Sequence, residues 1–253
     1  MRMVSATDIG RVRSVNEDRA VFQQGIDGFS LAIVADGMGG HQAGDVASQM
    51  TIDMILEELQ SLNAAMSVQE CEEAVQEAIR QTNRKVFEYA SGSDDLQGMG
   101  TTAVVLLASR QIAIVGHIGD SRAYKISGPS ILRLTEDHSL VNELLKNGQL
   151  TPDEADRHPR RNVITRALGT EPDAQPDIQH LLWEEGDIIL LCSDGLSGMV
   201  DDQTMLSIIR QGPDLETMAQ GLLQAALDAG GDDNITLILI ANEPEPASGG
   251  DEA

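Results

Sequence analysis

Several stretches place an aspartate beside glycine at the edge of an apolar segment. Residues 31–35 run into Asp36-Gly37-Met38-Gly39-Gly40, and Ile188–Cys192 run into Ser193-Asp194-Gly195. Gly230-Gly231-Asp232-Asp233-Asn234 leads into residues 235–240, and Gly119-Asp120-Ser121-Arg122 follows Ile112–Ile118. Short runs rich in β-branched residues read as buried strands. Each carboxylate therefore sits at the lip of a sheet, and the glycines leave open space beside Asp36. Taken singly, Asp-Gly is also a common hairpin turn. The recurrence points instead to a shared site for a polyvalent cation. Carboxylates and backbone carbonyls are hard oxygen donors suited to Mg²⁺ or Mn²⁺. No His/Cys cluster offers a zinc site. Two such ions about 4 Å apart can bridge a water, lower its pKa and clamp the oxygens of an in-line displacement at phosphorus. Asp36 is the natural carboxylate for two ions to share. Arg13 is the candidate for a phosphate dianion, because its planar fork gives paired charge-assisted hydrogen bonds. Arg13 paired with Glu17 or Asp18 in a surface loop is an equal reading.

The elements that must position these groups follow from periodicity. Strands are predicted at 3–7, 20–24, 101–108, 112–118, 131–134, 178–182, 187–192 and 235–240. The stretch 116–124, with Asp120, reads as a turn between strands. Apolar residues at three- and four-residue spacing predict helices over 43–62, 67–90, 201–210 and 215–227. Ser67 with Glu70 is a capping-box signature. Between 135 and 176 the character changes. Short helices are predicted at 140–146 and from Thr151-Pro152, and Arg157, Arg160, Arg161 and Arg166 concentrate positive charge. This part reads as a flap over the sheet, too small for its own core. Helices in pairs and strands in runs favour an α+β antiparallel sandwich covered by helices over a doubly wound parallel sheet.

A length of 253 residues suits one sizeable core. The net charge of −24 argues against nucleic-acid binding through a basic face. Cys71 and Cys192 lie on different elements without metal-ligand spacing, which fits a reduced, cytoplasmic chain. The N-terminus lacks a signal-peptide apolar region. No apolar run approaches the ~20 residues of a membrane span. Residues 243–253, rich in Glu, Pro, Ser and Gly, are expected to be a disordered acidic tail.

The ordered set D-x-G-x-V-R-x-x-N-E-D, V-A-D-G-M-G-G-H, M-G-T-T, G-D-S-R, D-H-S, C-S-D-G-L and G-G-D-D-N-I-T spans Asp8 to Thr236. It resembles the type 2C family of metal-dependent protein serine/threonine phosphatases in its bacterial form. The resemblance implies a four-layer α-β-β-α sandwich: one catalytic domain over 1–242, with a flap at about 139–169. It implies two ions of Mg²⁺ or Mn²⁺, with Asp36 bridging, the Gly37 carbonyl contributing, and Asp194 and Asp233 completing the set. Asp120 with Asp194 would hold a weaker third ion. Glu17 and Asp18 would act through metal-bound waters, and Arg13 would hold the phosphate. A metal-bridging hydroxide would attack phosphoserine or phosphothreonine with no phosphoenzyme. Some relatives place a proton-donating His directly after the first Asp-Gly. Here that position is Met38, so the general acid is unassigned, with His41, three residues on, and His158, in the flap, as weak candidates. The implied partners are phosphorylated proteins and an opposing serine/threonine kinase, the chain itself being a monomer with no nucleic-acid or membrane partner. Broader activity on phosphotyrosine or small phosphate esters is the alternative. An inactive binding module would have lost metal ligands, and every motif position is filled.

Overall fold

The computed structural model describes residues 1–39, 43–93, 96 and 98–243. His41 and the tail from 244 onward lie outside them. In chain order the elements are β1 (Arg2–Asp8), β2 (Asp18–Ile26), β3 (Phe29–Met38), α1 (Ala43–Glu58), α2 (Val68–Ser91), β4 (Gly100–Thr101), β5 (Ala103–Ala108), β6 (Ile112–Ile118), β7 (Arg122–Ser127) and β8 (Ser130–Arg133). Then follow α3 (Leu140–Lys146), α4 (Pro152–Asp156), β9 (Asp177–Leu182), β10 (Ile188–Cys192), α5 (Asp194–Ser197), α6 (Asp202–Gln211), α7 (Leu215–Asp228) and β11 (Ile235–Ala241). One sheet has the order β1-β11-β10-β7-β8 and the other β2-β3-β5-β6-β9, with β4 pairing β3. Every pairing is antiparallel.

The apolar runs are near-continuous because the central strands are covered on both faces. Along β10, Ile189 and Leu191 pack between the sheets against Val34, Val104 and Val115. Leu190 and Cys192 point the other way, onto Leu206, Leu222 and Ala226 of α6 and α7. On the second sheet, Ile33, Val105 and Ile114 meet Ile55, Val75 and Ile79 of α1 and α2. The layers are therefore α-β-β-α, and each fully buried Leu, Ile or Val contributes roughly 1.5–3 kcal/mol. The capping box at Ser67 forms: Ser67 Oγ accepts from Glu70 N–H, and the Glu70 carboxylate accepts from Ser67 N–H (2.7 Å). No helix is long and apolar enough to cross a membrane among the described residues.

Two local expectations change. The 116–124 stretch is not all turn: β7 starts at Arg122, because Ala123, Tyr124 and Ile126 are buried and pair along β10. Asp36-Gly37 is not a hairpin turn either. β3 runs through to Met38, with Gly37 opposite Thr101 and Met38 opposite Gly100. The space beside Gly37 is filled by backbone: a Cβ there would lie 2.1 Å from the Gly44 carbonyl oxygen and 2.7 Å from that of Glu17. Glycine at 37 lets the start of α1 close against the strand, rather than holding a cavity open.

Candidate metal centre and active site

Antiparallel pairing brings the acidic strand ends to one edge. In the second sheet, Asp18 at the start of β2 is directly opposite Asp36 in β3. Asp120 follows β6, whose last residue pairs with the first of β5. In the first sheet, Asp194 follows β10 and Asp233 precedes β11, at the same end of that pair. Hydrogen bonds join the two edges. Ser193, fully buried, donates from Oγ to Asp18 Oδ2 (2.7 Å) and accepts the Thr236 N–H (3.0 Å). Asn234 accepts the Glu17 N–H (2.8 Å) and donates to the carbonyls of Ile9 (2.9 Å) and Val15 (3.0 Å), fixing the loop that carries Arg13.

The electrostatics are those of a site short of positive charge. Burial pushes Asp36 well above the usual carboxylate range, and repulsion from Asp18, Asp194, Asp120 and Asp233 adds to it. Asp18 rises to about 7, chiefly by burial, with hydrogen bonds from Ser193 and Thr236 opposing the shift. Asp120 rises to about 8 by burial and then by its proximity to Asp194 and Asp137. Asp194 is raised by burial and by Asp233. Glu17 is raised by burial, against the backbone N–H groups of Asp45 and Gly44 at the start of α1. Asp18 Oδ1, Asp120 Oδ1 and Glu17 Oε1 are buried without a hydrogen-bond partner. Unpaired buried carboxylate oxygens are costly, and hard cations are the ligands that would satisfy them. The donor set therefore fits Mg²⁺ or Mn²⁺.

Arg13 pairs with neither Glu17 nor Asp18. Its Nη2 lies 2.6 Å from Asp233 Oδ2, and the side chain is half exposed. The guanidinium thus stands at the rim of the acidic cluster. His158 is engaged locally, its Nδ1 accepting the Arg160 N–H (3.2 Å), and none of the described contacts joins it to the carboxylates.

The family model for protein phosphatase 2C matches residues 10–229. The chain belongs to the protein phosphatase 2C family. It is 39% identical to protein phosphatase PhpP of Streptococcus pneumoniae, over 98% of this chain and 100% of that one. The structure of serine/threonine phosphatase Stp1 from Staphylococcus aureus superposes with a TM-score of 0.90 at 35% identity, covering 96% of this chain and 95% of that one. The catalytic domain of serine threonine protein phosphatase PstP, solved in complex with two manganese ions, superposes with a TM-score of 0.80 at 34% identity, over 94% and 96%.

Within this protein phosphatase 2C chain, several residues support the acids through contacts that the motifs holding them do not reveal. Thr102 Oγ1 accepts the Asp36 N–H (3.0 Å) and contacts Ser121 Oγ (2.7 Å), so one hydroxyl chain connects Asp36 to the residue beside Asp120. Asp137-His138-Ser139 is a recognisable motif whose contacts were not foreseen. Arg122 grips Asp137 with Nε (3.0 Å) and Nη2 (2.7 Å). His138 Nδ1 accepts the Gly119 N–H (3.1 Å), and its ring stacks on His117 at 4.8 Å. His117, His138 and Asp177 are close enough to suggest a second metal site. The hydrogen bonds argue otherwise. With Nδ1 accepting, neutral His138 carries its proton on Nε2, which faces Asp177 Oδ2 at 3.3 Å. That nitrogen has no lone pair for a metal.

Proposed function

We propose that this chain is a metal-dependent protein serine/threonine phosphatase hydrolysing phosphoserine and phosphothreonine monoesters. The observation that carries this is the shared edge of five aspartates, at which Asp18, Asp120 and the adjoining Glu17 keep buried carboxylate oxygens without a hydrogen-bond partner. Asp36, Asp194 and Asp233, with the Gly37 carbonyl, would hold two ions of Mg²⁺ or Mn²⁺. Asp120 with Asp194 would hold a weaker third, and Glu17 and Asp18 would act from one layer further out. Such ions supply Lewis-acid charge at phosphoryl oxygens and lower the pKa of water. The chain's own contribution is position and charge. Ser193 and Thr102 hold Asp18 and Asp36 in place through buried hydrogen bonds. Arg13 orients the phosphate dianion from the rim, once it is shared with or released from Asp233. Both thiols, Cys71 and Cys192, are buried in the core, which supports a reaction without a cysteinyl-phosphate.

The same reading takes residues 1–242 as one catalytic domain with the 139–169 segment as its flap. It makes the substrates products of a serine/threonine kinase and the enzyme a cytoplasmic monomer. Phosphopeptide hydrolysis with Mn²⁺ tests it, comparing the unaltered chain with Asp36→Asn and Asp194→Ala. Activity should vanish in EDTA and collapse in both variants. Full activity in EDTA, or in both variants, overturns the proposal.

A further inference from the structure

The 139–169 segment rises from the acidic edge and is pinned to it at both ends. On the incoming arm, His138 N–H donates to the Gly119 carbonyl (3.0 Å), one residue before Asp120. On the outgoing arm, Leu168 and Thr101 exchange backbone hydrogen bonds (2.9 and 3.1 Å), and Thr101 Oγ1 donates to the Asp36 carbonyl (2.9 Å). The arms meet at the bridge between Ser139 and Ile164. Beyond it, successive short turns fix residues 157–163: Arg161 N–H donates to the His158 carbonyl (3.1 Å) and Val163 N–H to that of Arg160 (3.2 Å). A cavity of about 370 Å³ is lined by Arg157, His158, Arg160, Arg161 and Val163. Arg157 and Arg160 are exposed, and none of the described residues lining this cavity is an acid. Arg157 and Arg160 have no ion pair among the described residues, and Glu154 of the neighbouring α4 is turned onto its own helix start, bonding Thr151 N–H (2.8 Å).

In a chain of net charge −24, an acidic protein segment is repelled over most of the surface. We propose, resting on the phosphatase reading, that the Arg157/Arg160 surface docks carboxylate-rich sequence flanking the phosphorylated residue, so that the enzyme favours phosphoproteins with acidic flanks. Guanidinium groups match carboxylates in planar pairs. The turns hold them ready, and the two pinned arms tie this surface to the strand ends that bear Asp36 and Asp120. The docking acts on substrate binding and leaves the reaction at phosphorus unchanged.

The test uses the full chain with Mn²⁺ and two phosphothreonine peptides differing only in glutamates against glutamines on either side. A small ester, p-nitrophenyl phosphate, serves as the reference. An exposed pair is worth about two- to fivefold. The glutamate peptide should therefore have a kcat/KM about fivefold or more higher at low salt, expressed in KM. R157Q/R160Q should erase that preference with p-nitrophenyl phosphate turnover unchanged, and R157K/R160K should restore part of it. Raising the salt should shrink the preference in the unaltered chain. A peptide with a second phosphate instead of glutamates should gain less; a larger gain would reassign the surface to phosphate and overturn the carboxylate proposal. Equal kcat/KM for the two peptides, or a preference that survives in R157Q/R160Q, also overturns it. If neither peptide nor ester is turned over, the phosphatase reading itself falls.

Discussion

Two buried polar clusters lie side by side in this molecule and are built in opposite ways. Around Asp36, like charges are gathered and three carboxylate oxygens are left without partners. Around His138, unlike groups are gathered: two stacked imidazoles, the Gly119 N–H, Asp177, and Arg166 paired to Asp177 at 3.0 Å. The first cluster needs something from outside the chain to be neutral. The second is neutral by itself. Burial alone therefore does not mark a functional site, and neither does one unpaired atom, since His138 Nε2 also lacks a hydrogen bond; a gathered set of uncompensated like charges does.

The largest effect expected from breaking this contrast is Asp36→Asn. Phosphopeptide turnover with Mn²⁺ should fall more than ~100-fold, beyond what supporting residues cost. The metal-free protein should melt no lower, since one of several repelling carboxylates has gone. A calorimetric melt beside the kinetic assay separates the two results, and a large fall in melting temperature would contradict the repulsion argument.

Thr102→Val comes next. It keeps the shape but cuts the hydroxyl chain between Asp36 and Ser121. Mn²⁺ affinity by titration calorimetry should drop about 10–100-fold, and Thr102→Ser should recover most of it. If Thr102→Val binds Mn²⁺ normally, the chain is a packing feature only.

The histidine cluster should respond mainly in stability. His138→Ala leaves the Gly119 N–H without its acceptor and should cost about 1–3 kcal/mol in urea unfolding. His138→Asn can still accept that bond and should cost less. Activity should change only a few-fold in either. A loss matching that of Asp36→Asn would place His138 in the reaction itself.

The most diagnostic effect is in pH. Burial first, then His117 and Arg166, lower His138 to about 4. The folded state then binds fewer protons than the unfolded state between about 4 and 6.5, so this cluster contributes stability above 6.5 that is lost as the pH falls. The sign is opposite for Asp18 and Asp120, raised to about 7 and about 8. There the folded state holds extra protons, and metal-free stability is lost as the pH rises from about 4 through those values. Unfolding of metal-free protein across this range should reveal both slopes. Mn²⁺ should abolish the alkaline one, and His138→Asn should flatten the acid one by on the order of 3 kcal/mol. An acid slope unchanged in His138→Asn would remove His138 as its source.

Much of this was readable from local pattern. Asp36, Asp120, Asp194 and Asp233 stand out because apolar runs ending at acids and glycines are short-range signals. The helix pairs and the Ser67 cap follow from spacing within a few residues. The reading failed where the signal was local but the outcome was not. Asp36-Gly37 has the composition of a turn, yet it stays in a strand because Gly44 packs onto Gly37. Gly119-Asp120-Ser121-Arg122 also reads as a turn, yet Arg122 opens a strand that the β10 backbone recruits.

By itself, then, the sequence determined the strand-and-helix order, the acids at the strand ends, their chemical preference for hard cations, and the family likeness. These depend on residue type and on spacing along the chain. Only the tertiary structure decided that Arg13 meets Asp233 rather than its near neighbours, that Ser193 reaches across to Asp18, and that His138 serves Gly119 instead of a metal. The physical reason is the same each time. A side chain's partner is chosen by which strand ends antiparallel pairing and sheet stacking bring together, and those ends lie up to 220 residues apart in the chain.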